Sequence, residues 1–135
     1  MNSPIRLVRS GALSDVAEYA YGAVVAPGAR LVFAAGACPL DADGETVGVG
    51  DYAAQARQMM HNLETALRDA GAGLSDVVKT TVYVASSAQP DLVTAWQVVR
   101  DTFGDHEPPG TLIGVTVLGY TDQLVEIDAI AAVPG

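Results

Sequence analysis

The apolar positions of the chain follow two different periods. Ile5–Val8, Tyr19–Ala26 and Arg30–Cys38 are short apolar runs punctuated by Gly and Pro, and they predict strands. The short Pro27-Gly28-Ala29 connection predicts a hairpin between the second and third runs. From Asp51 to Ala70 the period lengthens. Ala56, Met59, Met60, Leu63, Leu67 and Ala70 recur at helical spacing, with Asp51 placed as the cap and Gly71 as the stop. Glu64 and Arg68 form a pair four residues apart on the outer side of this helix. Val77–Val84 alternates again and predicts a strand. A second helix is predicted from Pro90 to Phe103, with Leu92, Trp96, Val99 and Phe103 as its apolar stripe. Pro90 suits its first turn and Gly104 closes it. Thr111–Leu118 and Gln123–Val133 predict two last strands around a turn at Gly119-Tyr120-Thr121-Asp122.

The predicted order β-β-β-α-β-α-β-β implies an α+β fold, with one mixed sheet and two helices packed on one face. The helix between Val77–Val84 and Thr111–Leu118 fits a right-handed crossover between parallel strands. The last strand, from Leu124 to Ala131, is apolar at most positions on both faces, as strands are when both faces are covered. Two helices cover one face only, so another subunit is expected on the other. No repeat, low-complexity tract or linker interrupts the chain, and residues 1–135 read as one domain.

Composition sharpens this picture. Half the residues are apolar, 17% are charged, and the mean hydropathy is +0.26. That excludes intrinsic disorder. It also exceeds what a small domain readily hides, which again points to an oligomer. No run approaches the ~20 apolar residues of a membrane-spanning helix. The N-terminal charges Arg6, Arg9, Asp15 and Glu18 do not fit a secretory signal. Sixteen acidic against seven basic residues give a net charge of −9, which disfavours nucleic acid and anionic membrane surfaces as partners. The single cysteine, Cys38, has no partner for an internal disulfide, and a reducing cytoplasm is expected.

Most familiar chemical patterns are missing. Asp41-Ala42-Asp43-Gly44 starts like a calcium loop, but its later ligands are lacking and a turn is expected. Gly48-Val49-Gly50 lacks the remainder of a nucleotide-binding loop. His61, His106 and Cys38 offer no metal spacing. His61 reads as a surface histidine, and Cys38 as a small buried hydrophobe. Glu126 and Asp128 stand out because residues two apart in a strand share a face. They either line a cleft between subunits as acid and base, or pair with Arg or a wet rim. Trp96, on an apolar stripe, reads first as a packing residue.

Several phrases resemble the RidA/YjgF family of reactive enamine/imine deaminases. They are Leu31–Gly36, Gln55–Gln58 with Asn62-Leu63, Ala70–Val84 and Leu124–Ala131, together spread over roughly residues 20–132. The resemblance implies a chorismate-mutase-like fold, a homotrimer with pockets at subunit interfaces, and no metal or organic cofactor. It implies hydrolysis of 2-imino or 2-enamino acids to 2-keto acids and ammonia. Carried over by position, the water-directing Glu is Glu126, the pocket glycine is Gly36 and the pocket tyrosine is Tyr21. The chain departs from the family where a carboxylate-binding Arg is expected, since Thr111 stands there. A family cysteine falls at Ile113, and a position that is often Asn falls at Trp96.

Two functions are therefore expected in competition. One is a divergent hydrolase or deaminase of a small imine or enamine, with Glu126 positioning water and Tyr21, Gly36, Trp96, Thr111 and Ile113 binding substrate. The other is a trimeric small-molecule-binding or regulatory protein without turnover. Arg30 or Arg100 is a possible substitute for the missing clamp.

Overall fold

A computed structural model describes residues 3–135. The strands are β1 (Ile5–Val8), β2 (Gly22–Val25), β3 (Arg30–Ala37), β4 (Val77–Ala85), β5 (Gly110–Val115) and β6 (Val125–Val133). The helices are α1 (Tyr52–Asp69) and α2 (Gln89–Phe103), and a 3₁₀ turn covers Leu74–Asp76. All eight predicted elements are present. Their ends shift most where turn residues flank a strand, as at Thr116–Leu118, which follow β5 outside the ladder.

The local signals act as their chemistry requires. The Asp51 side chain accepts from the Ala54 N–H at 3.0 Å and caps α1. Gly71, at φ 87°, takes the left-handed conformation that ends it, and the Ala72 N–H returns to the Leu67 carbonyl. Pro90 lies in the first turn of α2, and Gly104 follows its last residue. The segment Asp41–Gly44 is a turn, with Asp41 Oδ1 accepting from the Asp43 and Glu45 N–H groups and Gly44 at φ 82°.

The main sheet is four-stranded in the order β3-β6-β4-β5. β6 runs antiparallel to both neighbours, and β4 and β5 are parallel across the α2 crossover. β1 and β2 form a separate antiparallel ribbon. This corrects the expected hairpin of the second and third runs. The Pro27-Gly28 turn joins them, but β2 ladders with β1, whereas β3 ladders with β6.

Both helices pack on the same side of the sheet. Met59, Met60, Leu63 and Leu67 of α1 and Ala95 and Val99 of α2 meet Val82, Val84, Val125, Ile127, Ala129 and Ala131 in one buried core. The alternate residues, Thr81, Tyr83, Glu126, Asp128 and Ile130, lie on the other face and are half-buried. On that face Phe33 is 70% exposed, Leu31 49% and Ile113 44%. Large apolar side chains are thus left open on the face that also carries Thr81, Tyr83, Glu126 and Asp128. No helix among the described residues is long and apolar enough to cross a membrane.

Leu63 is fully buried at the centre of this core. Leu63→Ala is expected to lower unfolding free energy by about 2–5 kcal/mol, measured by urea denaturation. A loss below ~1 kcal/mol would contradict this packing.

Candidate functional site

The open face of the sheet carries the polar residues in cross-strand rows. Glu126 on β6 is opposite Tyr83 on β4, which is opposite Ile113 on β5. The next row is Asp128, Thr81 and Thr111. The Tyr83 hydroxyl donates to Asp128 Oδ2 at 3.0 Å, and that bond raises the tyrosine pKa above its ordinary value. Neither carboxylate pairs with Arg, so the expected Arg partner is replaced by neutral donors.

Glu126 is held on one side only. Its Oε1 accepts from Gln123 Nε2 at 3.0 Å and from the Cys38 thiol at 3.3 Å. Its Oε2 lies above Gly36, where a Cβ would come within 2.2 Å of that oxygen. Gly36 is therefore required for space, not for backbone conformation. It lies in an irregular stretch of β3, between the pairs Ala34–Ala129 and Ala37–Ile127, where β3 holds one extra residue. Such a bulge re-aims the chain next to a site.

Cys38 corrects the sequence expectation. Its side chain is half-buried, but it is a hydrogen-bonding partner of Glu126 and not merely packing. Burial, and then the neighbouring Glu126, push its pKa up to about 11. The neutral thiol is thus the form present at neutral pH, which argues against a nucleophilic role.

Polar side chains of α1 fix the surrounding loops. Asn62 Nδ2 donates to the carbonyls of Cys38 and Leu40, both at 2.8 Å. Gln55, fully buried, donates to the Asp122 carbonyl at 2.9 Å and accepts from the Leu124 N–H at 2.8 Å. Gln123, 4% exposed, also donates to the Val125 carbonyl and accepts from the Tyr120 N–H, both at 3.0 Å. These glutamines and Asn62 set the position of Glu126 and Cys38 from outside the strand. Gln123 was not singled out by sequence because a lone Gln after a turn has no pattern.

Of the predicted binding residues, Gly36 borders one cavity and Thr111 and Trp96 another, so two groups form. Gly36 and Cys38 border a cavity of about 570 Å³ together with Asn62, His61 and Tyr120. Thr111 and Trp96 border a second, of about 320 Å³, with Tyr19, Gly110 and Leu112. Trp96 is half-buried and packs edge-on against Tyr19, ring centroids 5.7 Å apart. Thr111 lies two strand spacings across and two residues along from Glu126, ~12 Å in all. The two groups do not meet within one copy. Tyr21 packs edge-on against Tyr19 and donates its hydroxyl to the Ser14 carbonyl. Ile113, exposed, sits in the Glu126 row.

Neither candidate clamp arginine reaches Glu126 in this copy. Arg100 is engaged by Glu18 and Asp101. Arg30 begins β3, six residues and ~20 Å from Gly36. The histidines stand apart. His61 is exposed on α1, and His106 Nε2 donates to the Val77 carbonyl at 2.7 Å. Among the described residues, no group of three or more His, Cys, Asp or Glu is arranged to hold a metal ion.

Comparison with known proteins agrees with this architecture. The family model described as Endoribonuclease L-PSP matches residues 11–133. The chain is 30% identical over 104 residues to the 3-aminoacrylate deaminase RutC of Acinetobacter baylyi, covering 77% of this chain and 80% of that one. It is also 30% identical over 131 residues to the 2-iminobutanoate/2-iminopropanoate deaminase of Rattus norvegicus, covering 97% and 93%. Its fold is similar to the crystal structure of YyfB, a Rid-family protein of unknown function from Yersinia pestis. That TM-score is 0.87 at 28% identity, with 96% and 99% of the two chains covered. On these likenesses, which span nearly the whole sequence, the chain belongs to the RidA/YjgF family.

Proposed function

We propose that the chain hydrolyses a small imine or enamine, with Glu126 positioning the attacking water, in a pocket completed by a neighbouring copy in a homotrimer. One observation carries the reading. The Glu126 carboxylate is held at Oε1, while Oε2 lies over the bare Cα of Gly36 on an open sheet face.

The chemistry asks little of the protein. An imine carbon is already electrophilic, so the site must hold the substrate, place a water and manage protons. The carboxylate takes a proton from water as its oxygen adds to the C=N carbon, and hands that proton to the nitrogen to give a carbinolamine. The same carboxylate then moves the hydroxyl proton to the nitrogen, the C–N bond breaks, and ammonia leaves behind a carbonyl. This reading needs no metal or organic cofactor. Two relatives carry the names of deaminases whose substrates are of this kind.

The two separated groups support assembly. The Thr111–Trp96 cavity lies at the β5 edge of the sheet, and Gly36 and Cys38 lie toward the β3 edge. A ring of copies joined head to tail brings unlike edges together. It also covers Phe33 and Ile113, and burying one such side chain contributes about 1.5–3 kcal/mol. A cytoplasmic location accords with the unpaired Cys38.

Thr111 shapes the substrate class. A hydrogen bond to a charged group contributes about 1.5–3 kcal/mol, against ~1 kcal/mol for a neutral one. The exchange of Arg for Thr weakens a carboxylate ligand ~10-fold or more. The substrate therefore carries less negative charge than a 2-imino acid. That same residue favours the second reading, ligand binding without turnover. RNA cleavage is disfavoured by the charge of −9, and the His106 ring is engaged by the Val77 carbonyl.

Three measurements check the proposal. Incubation with 2-iminobutyrate, and with the corresponding uncharged amide, is expected to release ammonia faster than buffer, with Glu126→Ala slowing release ~100-fold or more. A rate equal to buffer, the same in Glu126→Ala, would refute turnover; ligand-dependent melting shifts without product by mass spectrometry would then support the binding reading. Thr111→Arg is expected to raise turnover of 2-iminobutyrate ~10-fold. A folded variant with no gain would show that Thr111 does not face the substrate. Gly36→Ala is expected to rotate the Glu126 carboxylate away and abolish turnover, with the fold retained by circular dichroism. Full activity in that variant would contradict the placement of Oε2.

A further inference from the structure

Gln123 and Cys38 reach the same oxygen of Glu126 from two different elements. Cys38 follows β3, Gln123 precedes β6, and Glu126 lies within β6. Each donor is itself restrained. Gln123 is buried and makes two further hydrogen bonds, to the Val125 carbonyl and from the Tyr120 N–H. The backbone of Cys38 is tied to α1 through Asn62. A carboxylate offers about four lone-pair sites over its two oxygens. Here both protein donors take Oε1, and among the described residues none donates to Oε2.

We propose that Cys38 is a positioning residue, whose thiol joins Gln123 in holding Glu126 Oε1 so that Oε2 is the oxygen offered to the ligand. The catalytic consequence rests on the hydrolase reading above; the geometric claim does not. A thiol is the fitting donor here. It is long enough to reach across 3.3 Å, and it stays protonated beside a carboxylate that would repel the thiolate. The arrangement also separates two tasks on one carboxylate. Oε1 is anchored, and Oε2 is free to exchange a proton with water. A freely rotating glutamate divides its time between both orientations.

Because Cys38 is the only cysteine, its alkylation reports this contact without interference. The groups around it are Glu126 and Gln123 at the thiol, with Asp41, His61, Asp69 and Tyr120 around the adjoining cavity. Iodoacetamide alkylation against pH is expected to give a thiol titrating near 11 in the wild type. Glu126→Gln is expected to lower that value, so that reactivity at pH 8–9 rises several-fold. A wild-type thiol titrating near ~8.5, or one unmoved by Glu126→Gln, would overturn the proposal.

Kinetics supply a second arm that does not depend on the folding of that variant. Cys38→Ala is expected to lower kcat ~10-fold with KM nearly unchanged, and Cys38→Ser, which keeps an O–H donor, is expected to restore most of it. Equal turnover in wild type, Cys38→Ala and Cys38→Ser would overturn the positioning role while leaving the hydrolase reading intact. A wild type without turnover on any imine would refute that reading instead, and the alkylation arm would still decide whether Cys38 holds Glu126.

Discussion

The alternation of β6 is the constraint on which the rest depends. Val125, Ile127, Ala129 and Ala131 point into the helix-covered core, while Glu126 and Asp128 point to the open face. β6 lies between β3 and β4, so its register is pinned from both sides. A slip of one residue would turn both carboxylates into the apolar core. Burial of unpaired carboxylates is costly enough to forbid that register. The same alternation that secures the fold therefore presents the two acids together.

What surrounds those acids is neutral. Glu126 is held by an amide and a thiol, and Asp128 by a phenol. Neutral donors hold a carboxylate in place without neutralising its charge. With Thr111 and Ile113 on β5, on the far side of β4, the face offers hydrogen-bond acceptors beside apolar surface. That combination suits a ligand bearing N–H groups and little negative charge, which is why the proposed substrate departs from the aminoacrylate and imino acids named for two relatives.

Much of this was legible from sequence, for identifiable reasons. The helices declared themselves by periodicity, and Asp51, Gly71, Pro90 and Gly104 mark their ends through local chemistry. The shared face of Glu126 and Asp128 follows from a two-residue spacing. The partner of β2 was not legible. A short connection suggests a hairpin, but strand pairing is decided by distant residues, here β1 and β6. Cys38 was misread for the same reason. Its neighbours in sequence are Ala37 and Pro39, whereas the residue that defines its role lies 88 positions away. Gln55, Asn62 and Gln123 act on loops far along the chain, and spacing does not reveal such contacts.

The proposed assembly of three copies would cover the open face and bring the two separated groups together, and solution mass addresses that proposal most directly. Native mass spectrometry at micromolar concentration is predicted to give three times the 13.9 kDa chain mass. A folded species of 13.9 kDa alone would contradict the account, because Phe33 would then face water and Thr111 would never meet Glu126.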